Sequence, residues 1–392
     1  MTPPAVRRIE APCRRISPLQ PGRFYFFGYY DKCPWNASGR YVLGLETCFQ
    51  DRLQQADDTA TVGLLDLQNG CTWVPVAQTL GWSWQQGAMA QWAPWAPESQ
   101  VLFNARDGST LVTRIRDLPS GATRTLPLPV SAVAPDGRWA VSTNFPRRYY
   151  IRAGYGYAGV ADRHQGEAAP EGDGLWSMDL ASGEHRLLVS LAHCASEKPD
   201  ASMDGAVHWL DLEGFRPDSE RVLFFHRWFK QEKWWTRIYT VGIDGGGLFL
   251  LHESGMFSHF CWRDNEHLLA WAQPPGSAKG YYLFRDGTRE FQPVGAGLLT
   301  VDGHCSYSPD GRWLLTDTYP DRERLRTLIL FRMEDQQKIE IGRFYAPREI
   351  DGEIRCDLHP RWSRDGREVC IDSVHEGARA MYVVDVAAVV VG

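Results

Sequence analysis

Histidine and aspartate recur at fixed positions in the second half of the chain. His259, His304 and His359 each stand four residues before the same point of a repeated segment, and Asp302 and Asp357 stand two residues before the last two of them. Residues two apart on an extended strand point to the same face, so each aspartate shares a face with its histidine. Imidazole and carboxylate together suit manganese, zinc or iron, whereas calcium and magnesium sites are built almost wholly from oxygen. The spacing predicts a divalent metal site with His259, Asp302, His304 and His359 as ligands. The alternative is that the Asp–His pairs only tie neighbouring sheets together.

A second group of reactive side chains is expected at the same end of the strands. His208 opens a strand in GAVHWLDLEGF, and His226 and Arg227 end the next strand in FFHRW. Histidine can transfer protons near neutral pH, and arginine can bind an acidic group through paired N–H donors. We interpret His208, His226 and Arg227 as candidate catalytic residues.

The longest interruption of the strand pattern, residues 144–175, is rich in arginine, tyrosine and glycine. Loops of this length within a domain are usually functional or disordered. Because guanidinium groups match carboxylates in two hydrogen bonds, Arg147, Arg148 and Arg152 are candidate substrate-binding residues. Tyr155 is added to the catalytic candidates as an alternative proton acceptor. A plain solvated loop remains the other interpretation.

Three more residues are predicted to contact a substrate. Gln91 lies in AMAQW at the start of a strand, Trp228 follows Arg227, and Tyr319 ends the strand in DTYP. An exposed ring beside the reactive group can stack on a sugar, and Trp228 is the tryptophan chosen for that role. Packing between neighbouring sheets is the alternative for most of the tryptophans.

These residues require elements that bring them together, and an internal repeat provides them. Each copy has an alternating apolar strand, a tight turn and a second strand. The clearest copies are SYSPDGRWLLTDT (306–318), RWSRDGREVCIDS (361–373), AVAPDGRWAVSTN (132–144) and PWNASGRYVLGLE (34–46), and looser ones are WAPWAPESQVLFN (92–104), EGFRPDSERVLFF (213–225) and FCWRDNEHLLAWA (260–272).

Seven copies in 392 residues leave about 56 residues for each, the size of a four-stranded sheet with its loops. Helical periodicity is nearly absent. The pattern predicts an all-β fold, a seven-bladed β-propeller of four-stranded antiparallel blades, with residues 1–392 as a single domain. The predicted blades begin near residues 25, 85, 128, 205, 255, 300 and 354, with residues 144–175 as a loop inserted in blade 3. Two β-sandwiches are the alternative, but no Ser/Gly/Pro-rich linker divides the chain.

Composition restricts the function further. The chain is 43% hydrophobic, yet no run approaches the ~18 apolar residues that cross a membrane, and no secretory signal is recognisable. We therefore expect a cytoplasmic protein without a membrane partner. The net charge of −6 argues against nucleic acid as the partner, because phosphate binding needs a basic surface.

Around these residues the sequence resembles the oligogalacturonate lyases, seven-bladed propellers of bacterial pectin breakdown. GHCSYSPDGRWLLTD resembles that family's Gln-x-x-His-x-His-x-Ser-Phe-Ser-Pro-Asp-Gly segment, SHFCWRDNEHLLAW resembles its preceding His-x-x-Trp blade, and HWLDLEGFRPDSERVLFFHRW resembles the blade before that. The agreement covers about residues 200–320, and elsewhere only the general propeller pattern matches.

The resemblance implies a metal site and a reaction. In those lyases three histidines and a glutamine hold manganese, and an arginine and a histidine nearby serve proton abstraction. His259 and His304 match metal ligands, and His208 matches the histidine near the base. Asp302 stands where the family has the first histidine of His-x-His, and Leu299 stands where it has the glutamine. Manganese is the expected metal, with zinc or calcium as alternatives.

The leading functional hypothesis is a lyase that cleaves a uronic-acid-containing oligo- or polysaccharide by β-elimination. The expected partner is thus an acidic oligosaccharide. One alternative is a non-catalytic propeller that binds a glycan or a protein on the same face. Another is a glycoside hydrolase, which would need two carboxylates about 5–9 Å apart in its pocket.

Overall fold

Seven sheets, antiparallel within each blade, form the structure, a computed structural model that describes residues 6–391 apart from the side chains of residues 253–255. The predicted seven-bladed β-propeller is confirmed. Six sheets have four strands, and the sheet of blade 6 has a fifth. Strands dominate because the period-2 alternation of apolar residues buries one set of side chains between neighbouring blades.

The strands follow one another in the order of the repeats. Before blade 1 lie β1 (Arg7–Arg8) and β2 (Cys13–Arg15). Blades 1 to 3 contain β3 (Phe24–Phe26), β4 (Tyr41–Thr47), β5 (Ala60–Asp66) and β6 (Thr72–Thr79), then β7 (Gln91–Trp92), β8 (Gln100–Asp107), β9 (Thr110–Asp117) and β10 (Thr123–Leu126), then β11 (Ala132–Val133), β12 (Trp139–Ser142), β13 (Gly174–Asp179) and β14 (His185–Ser190).

Blades 4 and 5 contain β15 (Val207–Phe215), β16 (Arg221–Lys230), β17 (Lys233–Gly242) and β18 (Phe249–Gly255), then β19 (Phe257–Trp262), β20 (His267–Ala272), β21 (Gly280–Arg285) and β22 (Phe291–Val294). Blades 6 and 7 contain β23 (Ser306–Tyr307), β24 (Trp313–Thr316), β25 (Leu325–Arg332) and β26 (Lys338–Tyr345), then β27 (Arg361–Trp362), β28 (Glu368–Ser373) and β29 (Ala380–Asp385).

The two N-terminal strands complete the last blades. β2 pairs antiparallel with β29 and becomes the outer strand of blade 7, and β1 pairs parallel with β26 on blade 6. The ring is therefore closed by strands from both ends of the described chain, which removes an open sheet edge.

Tight turns join the first two strands of the blades as the repeat predicts. Gly311 and Gly366 have φ values of 69° and 70°, the left-handed backbone that glycine adopts without a steric penalty. In the blade 6 turn, the Gly311 N–H donates to the Ser308 carbonyl at 2.8 Å. The turns leave the starts of the inner strands, where His304 and His359 lie, at the opposite end of the blades.

The helices of the described chain are short, and two of them lie between strands while the third follows β29. They are α1 (Phe145–Ile151), α2 (Leu191–Ser196) and α3 (Ala387–Val390), with 3₁₀ turns at Ala153–Tyr155, Ala201–Met203 and Gly352–Ile354. The insertion in blade 3, predicted as a loop, contains α1 and the first 3₁₀ turn. The Asn144 side chain caps α1 by accepting from the Arg147 N–H at 2.9 Å. No helix in the described part of the chain is long and apolar enough to cross a membrane.

The apolar core is divided among the interfaces between blades. Leu223 and Phe225 of blade 4 pack with Leu268 and Phe284 of blade 5, all at most 1% exposed. The other interfaces have equivalent clusters, so the inner strands are held in fixed positions around the channel.

Candidate active site

A cavity of about 260 Å³ opens beside the histidines, between blades 4 and 5 and the insertion. Its lining includes Tyr29, Arg152, Tyr155, Arg227, Trp234, His259 and Tyr319. Among the described residues that line it, none is a carboxylate. The charged side chains at this wall are therefore cationic, which favours an anionic ligand.

Two guanidinium groups in the cavity have donors without acceptors. Arg152 Nε and Arg227 Nε are buried and have no hydrogen-bond partner among the described residues. Asp211 accepts from Arg227 Nη1 at 3.1 Å, whereas the carboxylate nearest to Arg152, that of Glu353, is 3.9 Å away. A buried donor without an acceptor costs free energy, so these groups are suited to receive an anion from outside.

A bulge in β15 brings Asp211 to this position. The register of β15 against β16 shifts between Asp211 and Gly214, and Leu212 there has a φ of 54°. Asp211 then lies between Arg227 and Arg148, at 3.1 and 3.6 Å. Bulges of this kind redirect side chains near functional sites.

Three tyrosines face the same cavity in different electrostatic surroundings. Arg355 Nη2 donates to the Tyr155 hydroxyl oxygen at 2.6 Å, and the Arg152 guanidinium lies 3.8 Å from the centroid of the Tyr155 ring. Burial raises the pKa of Tyr29 and of Tyr319 well above the ordinary value, and the neighbouring Tyr30 and Asp357, respectively, raise it further. Tyr29 and Tyr319 thus remain protonated, whereas the Tyr155 side chain lies against two cations.

Three histidine rings lie side by side at the inner end of the cavity. The ring centroids of His259 and His304 are 4.1 Å apart, and those of His304 and His359 are 4.3 Å apart. His304, His359 and Asp357 each offer a ligand atom, and these atoms lie within 4.8 Å of one another. Such a group can hold a metal ion.

Carboxylates fix the tautomers of two of these histidines. Asp317 accepts from His304 Nδ1 at 2.9 Å, and Asp302 accepts from His259 Nδ1 at 2.9 Å. Because an ionised carboxylate only accepts, Nδ1 carries the proton and Nε2 keeps its lone pair. His304 Nε2 and His359 Nε2 are buried without a hydrogen-bond partner in the described part of the chain.

Asp357 and His359 have the protonation states that metal binding needs. Burial opposes ionisation of Asp357, but Arg355 and Arg326, each 2.8 Å away, hold its pKa far below the ordinary value. Burial lowers the pKa of His359 well below its ordinary value, and His304 lowers it further. Burial also lowers the pKa of His259, although Asp302 acts in the opposite direction. An anionic carboxylate and neutral imidazoles are available.

His359 also has a strained backbone. Its φ is 42°, a left-handed value that side chains other than glycine rarely adopt, and it precedes Pro360. Strain of this kind persists where the surroundings hold it in place, and it concentrates at functional sites.

Solved structures with the same arrangement of blades include two lyases. One is an oligogalacturonate lyase from Vibrio parahaemolyticus, with a TM-score of 0.67 and 14% identity over 96% of this chain and 94% of that chain. Another is an oligogalacturonate lyase in complex with manganese, with a TM-score of 0.68 and 17% identity over 96% of this chain and 93% of that chain. The resemblance predicted from the sequence is confirmed at the level of the fold.

Propellers with other roles are also similar. The β-propeller domain of the Trilobed protease from Pyrococcus furiosus has a TM-score of 0.52 and 13% identity over 92% of this chain and 93% of that chain. The sequence matches no family model and no curated protein. Similarity at these identities establishes the fold, and the function has to be argued from the site.

The structure brings several predicted residues to the cavity. Arg152, Tyr155, Arg227, His259 and Tyr319 line it, and His304 and His359 lie directly behind His259. Two predicted ligands, His259 and Asp302, lie outside the metal-ligand group, and they contact each other instead.

The insertion arginines divide into two roles. Arg152 lines the cavity, but Arg147 and Arg148 are at most 3% exposed and do not. Arg147 donates to Asp162 and to backbone carbonyls, including that of His208 at 2.6 Å. Arg148 donates to Glu213 at 2.6 Å and to Thr143. These bonds anchor the insertion over the end of the channel.

His208, His226 and Trp228 form a buried stack beside the cavity without lining it. His208 Nδ1 and His226 Nε2 share a hydrogen bond of 2.8 Å, and the Trp228 indole donates to Ser202 Oγ at 2.9 Å. Burial lowers the pKa of His208 to about 4 and that of His226 well below its ordinary value. Both rings are neutral at physiological pH.

Gln91 lies at a different opening. It lines a second cavity of about 420 Å³ with Tyr30, Cys261 and Cys305. Its side chain donates to the Met89 carbonyl at 3.4 Å. Gln91 and the histidine cluster are therefore not part of one cavity.

Sequence reasoning missed four residues of the site as ligands or contacts: Trp234, Asp317, Arg355 and Asp357. Asp357 carried a signal, because it occupies the same repeat position as Asp302. The sequence signal for Trp234 is weaker. It lies in the run WWTR, and strand alternation alone does not tell which of the two tryptophans faces outward.

Proposed function

We propose that the chain is a lyase that cleaves a uronic-acid-containing oligo- or polysaccharide by β-elimination. The observation that carries the proposal is the cavity that joins two guanidinium groups with free donors, Arg152 and Arg227, to the histidine cluster. The cavity lining, free of carboxylates in the described residues, favours a lyase over a glycoside hydrolase, which needs two of them.

Elimination begins with the acidic group of the substrate. The proton next to the uronate carboxylate becomes acidic only when the negative charge on that carboxylate is balanced. Arg152 and Arg227 would bind the carboxylate through their Nε–H groups, in a buried cavity where ion pairing is stronger than in water.

Tyr155 is the residue we assign as the base. Its oxygen accepts from Arg355 at 2.6 Å, and Arg152 lies over its ring, so two cations adjoin this side chain. In its deprotonated form the Tyr155 oxygen would take the C5 proton of the uronate. His208 and His226 are less suited, because their low pKa values and burial outside the cavity keep them from the substrate.

Tyr319 is suited to the last step, departure of the glycosidic oxygen. Its raised pKa keeps the hydroxyl protonated, so it can donate a proton to the leaving oxygen. Tyr155 and Tyr319 have different surroundings in one cavity. One can therefore remove the C5 proton while the other protonates the leaving oxygen.

A divalent metal fits the residues behind the cavity. His304 Nε2 and His359 Nε2 are buried without hydrogen-bond partners in the described part of the chain. Together with Asp357, whose two oxygens are ion-paired with Arg326 and Arg355, they would hold it. When bound, the ion would supply Lewis-acid charge stabilisation beside His259. The two imidazoles favour manganese or zinc over calcium.

The reaction is tested with purified protein, trigalacturonate and Mn²⁺, following the ultraviolet absorbance of an unsaturated uronate. We expect Tyr155→Phe to lower kcat about 1,000-fold and Arg152→Gln to lower kcat/KM about 100-fold. Arg343→Gln, a change at an arginine that pairs with Asp321 outside the cavity, should leave both constants unchanged. Absence of unsaturated product across a panel of uronate oligosaccharides would contradict the lyase assignment.

The metal is tested separately from turnover. Asp317→Asn replaces the anion that holds His304 Nδ1–H, so we expect Mn²⁺ affinity to fall about 10- to 100-fold, measured from the free-ion signal in electron paramagnetic resonance. Asp310→Asn, at the turn of the same blade, is the matched control. Equal Mn²⁺ affinity in the two variants would show that His304 is not a ligand.

A further inference from the structure

The hairpin of β16 and β17 extends past the cavity and exposes a tryptophan at its edge. Trp234 is 46% exposed and lines the cavity, near the end of a ten-residue strand pair. Phe229 pairs with it across the hairpin, with ring centroids 5.8 Å apart, and Trp209 is 6.1 Å away. These neighbours meet the indole at 60° and 57°, so neither lies parallel to it as a stacked ring would.

The indole is connected to the anion-binding part of the cavity through one residue. The Arg152 guanidinium lies 4.9 Å from the Trp234 ring centroid and 3.8 Å from the Tyr155 ring centroid. Trp234 and Tyr155 thus contact the same cation. A sugar ring stacked on Trp234 would therefore lie next to the uronate whose carboxylate binds Arg152.

A single exposed tryptophan is common on protein surfaces and by itself indicates nothing. Trp95 is such a case, because it is 43% exposed, and its indole N–H donates to the side chain of Gln100 outside the cavity. Trp234 differs by lining a cavity with a guanidinium that has a free buried donor. The apolar C–H face of a pyranose packs on an indole in the same way as other flat apolar surfaces do.

We propose that Trp234 is a stacking platform for a second sugar ring, next to the uronate that reacts. The site then selects oligosaccharides of two or more residues over a free uronic acid. This inference rests on the proposed function, since it takes the acidic residue at Arg152 as its reference point. Binding of the carboxylate by Arg152 makes the site selective for acidic sugars, and stacking on Trp234 makes it selective for longer chains.

The test measures binding by calorimetry in the Tyr155→Phe background, in which we expect turnover to be about 1,000-fold slower. The probes are trigalacturonate and free galacturonate. With Trp234 intact, trigalacturonate binds more tightly. Trp234→Ala weakens the binding of trigalacturonate about tenfold and leaves the affinity for galacturonate unchanged. Trp234→Phe retains most of the affinity for trigalacturonate. Trp95→Ala, the matched control, changes neither.

The outcomes separate this inference from the proposed reaction. Equal weakening of both probes by Trp234→Ala, or no weakening of either, overturns the platform. Failure of both probes to bind when Trp234 is intact overturns the platform together with uronate recognition. A selective loss of trigalacturonate binding, in a protein whose wild type forms no unsaturated product, supports the platform and rejects the elimination reaction.

Discussion

At the scale of single residues, the buried pair of His208 and His226 links the structure to pH. The two rings stack with centroids 5.0 Å apart and share one proton in a 2.8 Å hydrogen bond. Burial lowers the pKa of His208 to about 4, so the folded protein holds this ring neutral where an unfolded chain would protonate it at about pH 6.5.

The first prediction concerns stability against acid. Between about pH 6.5 and pH 4 the unfolded chain binds a proton at His208 that the folded chain does not, so the free energy of unfolding falls as pH falls, by about 3 kcal/mol in total. Above pH 6.5 the ring is neutral in both states and contributes no slope. Urea unfolding of the wild type and of His208→Asn should show a shallower pH dependence for the variant. Parallel curves over this range would contradict the assignment.

At the scale of elements, the hairpin of blade 4 is the structure that presents Arg227 and Trp234 at the cavity. Its turn is strained, because Gln231 and Glu232 have φ values of 51° and 60°. Two successive left-handed residues are typical of a type I′ turn, which strongly favours Asn-Gly. The β16–β17 hairpin, which presents Trp234, thus has an unfavourable turn sequence.

The second prediction concerns this strained turn. Gln231→Asn combined with Glu232→Gly should raise the free energy of unfolding by about 1 kcal/mol, since both residues accept left-handed backbone readily. Glu334→Gly is the control, because Glu334 lies in another exposed turn and has no positive φ. That glycine should lower stability slightly. If the double variant is less stable than the wild type in urea, strain in this turn does not reduce the stability of the protein.

At the scale of the whole molecule, closure of the ring positions the site. His259 lies in the inner strand of blade 5, and His304 and His359 lie two residues before the inner strands of blades 6 and 7, so their separations depend on how the seven blades close. Closure uses β1 and β2, through bonds such as Ile9 N–H to the Glu340 carbonyl and Asp385 N–H to the Pro12 carbonyl.

The third prediction tests closure. Deleting residues 1–15 removes both strands. We expect it to lower the free energy of unfolding by roughly 3 kcal/mol or more, because each lost backbone hydrogen bond contributes about 1 kcal/mol. The exposed edge of β29 should also promote association. Thermal unfolding and size-exclusion chromatography measure the two effects, with deletion of residues 1–5 as the control. Equal melting temperatures for the two deletions would mean that β1 and β2 do not hold the ring closed.

The sequence by itself determined the repeat and, through it, the propeller. Seven turns and alternating strands predict this fold, because local turn chemistry and a period of two depend only on neighbouring residues. The fixed offset of His259, His304 and His359 likewise comes from the repeat, and it brings the three rings together in the closed structure.

Only the tertiary structure decided which of the similar side chains face the cavity. Arg147 and Arg152 look alike in the sequence, but α1 buries the first among carbonyls and the turn after it aims the second at the cavity. Trp228 and Trp234 lie on opposite faces of one hairpin, paired with Trp235 and Phe229, respectively. Which face is covered depends on Ser202 and the neighbouring blades, contacts that local sequence does not specify.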